Sequence, residues 1–257
     1  MRLSFCIAIV SWALGAGAGW GQELASGRSQ VSAAAKPAVP STISPDTRGD
    51  VFMARKMYRE GIEAYKAIQP QTAVTLNKIG IGYHHLLDFN SAKSFYEKAI
   101  RQKKDYSEAI NNLGTVYYAK KSYRKAINYY KKALVYAPNS ASIHSNLGTA
   151  YFARKNYQQA AVEYETALRL DPEVFEHRST QGVLLQERSV EERAKFHYYL
   201  AKTYAKAGQT DRALLYIRRA LEEGFKDKAK FMEEPEFADL RKHPDFDLLM
   251  KMEPRVL

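Results

Sequence analysis

Residues 112–117 read NLGTVY, and residues 146–151 read NLGTAY. A looser copy of the same stretch, KIGIGY, occupies residues 78–83. The central glycines of the three stretches are separated by 34 residues in both intervals. A fixed period of this length indicates a chain that is built from several copies of one small structural unit.

Small and aromatic residues recur in the same phase further along each copy. The recurring sets are Gly80, Gly114 and Gly148; Ala92, Ala126 and Ala160; Tyr96, Tyr130 and Tyr164; and Ala99, Ala133 and Ala167. This pattern resembles the tetratricopeptide repeat, a helix-turn-helix unit of 34 residues. The resemblance covers residues 73–106, 107–140 and 141–174. It implies an all-α tetratricopeptide-repeat solenoid, a right-handed superhelix of helix-turn-helix units whose stacked copies form one continuous core.

The flanks of this array contain weaker copies. Residues 194–227 read as a fourth repeat, which has Ala201 in place of the glycine and Ile217 in place of the tyrosine. A degenerate N-terminal repeat is predicted at residues 46–72. The third and fourth copies are separated by an insertion at residues 175–193, which no other junction contains.

Two further signals concern the C-terminal part of the chain. Ser189 precedes Glu192 by three residues, the spacing of a capping box, and predicts a helix that runs to Ala207 and ends at Gly208. In residues 228–257, phenylalanines and leucines recur around Pro235 and Pro244; they are Phe231, Phe237, Leu240, Phe246 and Leu249. We predict that these residues form short helices that cap the last repeat.

The N-terminal segment has the features of a targeting signal. Residues 1–21 combine an early arginine, an apolar run and small residues, which is typical of a cleavable secretory signal peptide. Residues 22–45 are rich in Ala, Ser and Pro and contain no aromatic residue, so we predict a disordered linker there. The expected location is periplasmic or secreted for a bacterial source, and the alternative is an anchor that is not cleaved. Cleavage would remove Cys6, the only cysteine.

The resemblance also implies a peptide-binding groove, because the first helix of each unit lines the inner surface of the family's solenoids. Carried over by position, the groove residues are Asn77, Ile81 and His84 in the first copy; Asn111, Asn112, Thr115 and Tyr118 in the second; Ser145, Asn146, Thr149 and Phe152 in the third; and Tyr198, Tyr199 and Lys202 in the fourth. Asparagine amides offer donors and acceptors to a peptide backbone, and aromatic rings offer apolar contact.

Positive charge is concentrated in the middle of the chain, which has a formal net charge of +11. A basic ridge is predicted at the turns inside the second and third copies and on the following helix; it consists of Lys120, Lys121, Arg124, Lys125, Arg154 and Lys155. This ridge is either an ordinary solvated surface or a contact for anionic lipid, cell-wall polymer or an acidic partner. We do not expect nucleic acid as a partner, because no recognition motif is present.

Catalytic and metal-binding motifs are absent from the sequence, so we predict no enzyme, no cofactor and no metal site. Our hypothesis is a non-enzymatic scaffold or adaptor of the cell envelope, which binds a peptide segment or helix of a partner protein in its concave groove. The alternative is a module that targets an envelope surface through the basic ridge. The sequence leaves the oligomeric state open.

Overall fold

The computed structural model describes residues 43–175 and 189–252, and within these ranges every regular element is helical. The predicted signal peptide, nearly all of the linker and most of the insertion lie outside the described residues. The helices are α1 (Pro45–Ala54), α2 (Tyr58–Lys66), α3 (Ala73–His85), α4 (Phe89–Gln102), α5 (Ser107–Ala119), α6 (Tyr123–Tyr136), α7 (Ala141–Ala153), α8 (Tyr157–Leu170), α9 (Val190–Lys206), α10 (Thr210–Glu222), α11 (Ala229–Glu233) and α12 (Pro244–Lys251). Short 3-10 turns join the last two helices.

The ends of several helices follow from local sequence. Ser44 accepts a hydrogen bond from the Thr47 amide, and Pro45 opens α1, so the predicted linker is one residue too long at this end. Ser189 likewise accepts from the Glu192 amide at 3.2 Å, which confirms the predicted start of α9.

Helices α1 to α10 form five pairs, and we call the two helices of each pair A and B. In the regular pairs the A helix contributes a glycine where the tyrosine of the B helix crosses it. A Cβ atom on Gly114 would lie 2.7 Å from Cε1 of Tyr130, and one on Gly148 would lie 2.6 Å from Cε1 of Tyr164. Both tyrosines are fully buried. The recurring glycines therefore allow a close contact between the two helices, and the recurring tyrosines fill it as packing residues.

The turn between the A and B helices is the same in all five pairs. In each turn one residue adopts a left-handed backbone conformation, and the amide that follows it donates to the carbonyl five residues earlier, in the last turn of helix A. The left-handed residues are Lys56, Leu87, Lys121, Lys155 and Gly208, with φ of 59°, 60°, 56°, 62° and 70°.

Successive pairs stack in a regular way up to α8. The first residue of α2, Tyr58, stacks on His85 at the end of α3 with ring centroids 4.6 Å apart, so these two helices run in opposite directions. Lys93 near the start of α4 interacts with Tyr117 near the end of α5 in the same sense. These contacts are those of a repeat solenoid.

The junction between α8 and α9 is different. Tyr157 at the start of α8 stacks on Tyr199 in the middle of α9 at 4.9 Å, and the Lys195 ammonium lies 4.1 Å from the centre of the Tyr157 ring. Lys206 at the end of α9 pairs with Glu165 in the second half of α8 at 2.8 Å. Helix α9 therefore does not run back along α8 in the way that the other A helices follow their predecessors.

The C-terminal residues close the last pair with an aromatic cluster. Phe231, Phe237 and Phe246 are each at most 1% exposed. Phe225 stacks on Tyr198 of α9 with centroids 4.6 Å apart. This segment covers the end of the apolar core, as the sequence predicts for capping helices.

Candidate functional site

The asparagines of the predicted groove form a buried ladder across three A helices. Asn146 donates to Asn111 at 3.0 Å, Asn111 donates to Asn112 at 3.3 Å, and Asn112 donates to Asn77 at 3.1 Å. Each of the four is at most 5% exposed. The prediction that these amides offer hydrogen bonds to a peptide is corrected here, because they use them to join α7, α5 and α3.

The threonines of the predicted groove are also engaged inside the array. Thr115 accepts a hydrogen bond from the Tyr130 hydroxyl, and Thr149 accepts one from the Tyr164 hydroxyl, both at 3.3 Å. Both threonines are buried. Ile81 and Ser145 are half-buried.

In the fifth pair, which contains the fourth predicted repeat, the chain's own C-terminal segment takes two of the predicted groove residues. The Tyr198 hydroxyl donates to Glu234 at 2.5 Å, and the Lys202 ammonium lies 3.1 Å from Glu234 and 3.3 Å from Glu236. Tyr198 is 3% exposed. We therefore correct the placement of Tyr198 and Lys202 in an open groove, since the capping segment occupies the position of a next repeat there.

Three of the remaining predicted residues meet at a cavity of about 450 Å³. The fourth, Tyr199, does not line it but stacks on Tyr157, which does. His84, Tyr118 and Phe152, which occupy equivalent positions in α3, α5 and α7, all line the cavity. The turns after these helices add three further equivalent residues to the wall, Leu87, Lys121 and Lys155. The opposite wall is the start of α9, so the unusual junction after α8 creates this cavity.

Aromatic rings form much of the cavity wall. Tyr118 packs on Tyr123, and Phe152 packs on Tyr157, each with centroids 5.2 Å apart. Phe152 is only 5% exposed, because Phe196 of α9 also packs against it. Phe152 thus supports the wall, whereas the half-buried Tyr118 presents part of its ring to the cavity.

Charged groups also line the cavity. Lys121 and Lys155 come from the turns, and Glu191, Glu192 and Lys195 come from the start of α9. The imidazole of His84 lines the cavity as well, and burial together with the neighbouring His85 lowers its pKa to about 4. His84 is therefore a neutral ring at physiological pH.

The predicted basic ridge is exposed throughout, since all six side chains lie at the surface. Within the described ranges, no carboxylate lies within 4.0 Å of any of them. Lys120 donates to the Asn90 side chain at 2.6 Å, and Lys125 lies over the ring of Tyr117. Four members lie in turns, while Arg124 and Lys125 lie in the first turn of α6.

Two absences apply to the described part of the chain. Residues 43–175 and 189–252 contain no group of three or more His, Cys, Asp or Glu that is able to hold a metal ion. None of the helices in these ranges has the length and apolar character needed to cross a bilayer.

Lys121 and Lys155 were predicted from the sequence as part of the basic ridge, but neither they nor the residues of α9 were predicted to line a cavity. Phe89, Tyr123 and Tyr157 recur at one phase of the repeat, which is the signal that identifies them as equivalent residues. No sequence signal places Glu191 and Lys195 near the turns, because their position depends on how the insertion lets α9 return.

Comparisons with known proteins agree with this fold. A model described as TPR repeat matches residues 114–153, and a model described as tetratricopeptide repeat matches residues 141–174. No curated protein matches the chain.

Solved structures of low sequence identity share the architecture. A thermophilic TPR protein of Thermus thermophilus, TTC0263, matches at 19% identity and a TM-score of 0.50 over 77% of this chain and 97% of that one. A chain of the APC/C hetero-tetramer Cut9–Hcn1 matches at 19% identity and a TM-score of 0.51 over 77% of this chain and 35% of that one. MamA from Desulfovibrio magneticus RS-1 matches at 18% identity and a TM-score of 0.48 over 71% of this chain and 94% of that one. The predicted fold class, an all-α tetratricopeptide-repeat solenoid, is confirmed by the helices and by the first two of these structures.

Proposed function

We propose that this protein is a non-enzymatic scaffold that binds a segment of a partner protein. The binding site is the cavity between the start of α9 and the turns that follow α3, α5 and α7. The observation that carries the proposal is the cavity itself, about 450 Å³ with walls of Phe89, Tyr118, Tyr123 and Tyr157. Concave sites of this size with aromatic walls and a few polar groups are typical ligand sites.

The cavity suits a side chain or a short helix turn of a protein partner. Its aromatic floor offers apolar contact, and the lysines that line it offer donors to backbone carbonyls or carboxylates. The tetratricopeptide-repeat fold supports this proposal, since the sequence resemblance implies a role in protein binding.

A steric block inside the cavity tests the proposal. Ala153 lines the cavity, and Ala54 occupies the equivalent position in the first pair, outside it. A photo-reactive amino acid at Tyr118 should form a cross-link to a partner in living cells. Ala153→Arg should abolish that cross-link, and the matched control Ala54→Arg should leave it unchanged.

A second photo-reactive position controls for chance contact. Tyr136 is 46% exposed at the end of α6 and does not line the cavity. Capture of the same partner from Tyr136, or capture from Tyr118 that survives Ala153→Arg, would show that the cavity is not the binding site.

We also propose that residues 1–21 direct export, so that the scaffold acts in the cell envelope or outside the cell. Support comes from the basic start, the apolar run and the small residues of this segment. The test is N-terminal sequencing of the protein from separated cell fractions. A chain that begins near residue 22 in the envelope fraction supports export, and an intact chain confined to the cytoplasm contradicts it.

A further inference from the structure

Four consecutive turns of the solenoid place exposed basic or apolar residues at equivalent positions. The residue pairs at these turns are Arg55–Lys56, Leu86–Leu87, Lys120–Lys121 and Arg154–Lys155, and we call this set the turn row. The four turns are equivalent in structure as well as in sequence position. Each has a left-handed residue at the same place and the same pattern of backbone hydrogen bonds.

The turn row has a conformational cost that the fold does not require. A left-handed backbone is unfavourable for residues with a Cβ atom, and glycine is the usual choice at this position of a helix end. The chain uses Gly208 in the fifth turn but Lys56, Lys121 and Lys155 in three others. Residues that keep an unfavourable conformation at the surface point to a role that glycine would not fill.

The turn row is also electrostatically unbalanced. Residues 109–162 contain eight Lys and Arg residues and no Asp or Glu. Among the residues that the structure describes, Lys56, Lys121 and Lys155 have no carboxylate within 4.0 Å. Acidic groups near the row include Asp88, which caps α4 by accepting from the Ser91 amide, and Glu191 and Glu192 of α9, which line the same cavity as Leu87, Lys121 and Lys155.

Leucines stand in the row where the other turns carry cations. Leu87 is 62% exposed in a left-handed conformation, and Leu86 is 36% exposed. Neither feature stabilises the folded chain in water. An apolar pair that is flanked by cations matches the boundary between the headgroups and the acyl chains of an anionic bilayer.

We propose that the turn row is a docking surface for an anionic lipid bilayer. In this arrangement the lysines contact the phosphate headgroups, and the Leu86–Leu87 pair inserts among them. This inference goes beyond partner binding in the cavity and is tested with lipid alone, although Leu87, Lys121 and Lys155 also line that cavity. A soluble acidic polymer offers the same charge but no apolar phase, so the leucines distinguish the two.

The test measures binding of the full chain to vesicles of phosphatidylcholine with and without phosphatidylglycerol. Wild-type protein should bind the anionic vesicles more tightly, and the difference should shrink as salt is added. Lys121→Gly with Lys155→Gly should weaken that binding roughly tenfold or more, since each cation near a bilayer contributes substantially. Any binding through residues 1–21 is common to all variants, so it cancels when the variants are compared on the same vesicles.

The glycine variants carry their own folding control. Glycine relieves the left-handed strain, so their melting temperature should equal or exceed that of the wild type. A charge-matched control, Lys131→Gly with Lys132→Gly, removes two exposed cations from the body of α6 and is compared for lipid binding alone. It should bind anionic vesicles nearly as well as the wild type.

Leu86→Ser with Leu87→Ser separates a bilayer from a polymer. This variant should lose binding to anionic vesicles while it keeps its affinity for a soluble polyphosphate. The proposal is overturned if the wild type binds both kinds of vesicle equally. It is also overturned if the turn and α6 lysine variants lose equal affinity, or if the leucine variant binds vesicles like the wild type.

Discussion

The junctions between successive helix pairs differ in the two halves of the molecule. Between α2 and α3, Tyr58 stacks on the residue at the end of the next A helix, His85. The equivalent residue Tyr157 instead meets Lys195 and Tyr199, in the first part and the middle of α9. The repeat sequence thus determines how two helices form a pair, but the connection between pairs decides how each pair docks on the array.

The insertion is the physical origin of this difference. Phe175, the first residue of the insertion, packs on Tyr164 of α8 and on Tyr204 near the end of α9. Tyr204 lies 15 residues after Ser189, so the helix separates the two by about 22 Å. A connection between Phe175 and Ser189 must cover about this distance, which exceeds the reach of the four-residue connection between α4 and α5.

Deletion of residues 176–188 should have the largest effect on this arrangement. It bonds Phe175 directly to Ser189, so Phe175 and the start of α9 cannot both keep their places. Loss of the packing of buried rings such as Phe196 should lower the melting temperature by about 10 °C or more. A glycine-serine segment of the same length should restore most of the stability. A deletion variant that melts like the wild type would contradict this explanation.

Cross-linking tests the arrangement of α8 and α9 in the undeleted chain directly. In a Cys6→Ser background, Tyr157→Cys with Lys195→Cys should react efficiently with a short bis-maleimide. Tyr157→Cys with Lys206→Cys, the pair equivalent to Tyr58 and His85, should react poorly. Efficient reaction of the second pair in the undeleted chain would mean that the junction after α8 is regular.

The asparagine ladder belongs only to the regular region, and its centre should be its most sensitive point. Asn111 both donates and accepts in the ladder, whereas Asn146 shows a single such bond. Asn111→Ala should cost about 2–4 kcal/mol, because it leaves two buried partners unsatisfied. Asn146→Ala should cost about half of that. Chemical denaturation measures both values, and equal losses would argue against a connected ladder.

Much of the fold follows from the sequence because the repeat phase encodes contacts within a pair. Gly114 and Tyr130 recur with their equivalents at fixed spacing, so their contact is predictable. The burial of Asn111 is not, since a polar residue on an A helix has the same pattern whether it faces a ligand or a neighbouring helix. The cavity was also unpredictable, because Lys195 reaches it only through a junction set by an insertion without repeat phase.

Substitutions at the contact between Gly114 and Tyr130 test whether the helix pairs are packed in the same way. The fifth pair has Ala201 and Ile217 at the equivalent positions, and both are fully buried. Gly114→Ala should cost about 1–3 kcal/mol, since the new Cβ would overlap the Tyr130 ring. Tyr130→Ile should lower the stability of the Gly114→Ala variant by less than it lowers the stability of the wild type. Thermal melts of the four proteins give the coupling, and strictly additive losses would contradict the equivalence of the two contacts.

The smallest expected effect concerns the pH dependence of stability, and it is compared for His84 in α3 and His197 in α9. Burial lowers the pKa of His84 to about 4 from an ordinary 6.5, so the unfolded chain binds more protons between these values. The stability that this neutral ring contributes is complete above pH 6.5 and falls as the pH is lowered toward 4. Burial also lowers the pKa of His197, but the Glu223 carboxylate at 2.9 Å opposes that shift. Between pH 7 and pH 5, the pH-dependent loss of unfolding free energy should therefore become smaller by about 1–2 kcal/mol in His84→Gln, and by less in His197→Gln. Denaturant titrations at both pH values measure this difference, and an equal effect of the two variants would mean that Glu223 does not offset the burial of His197.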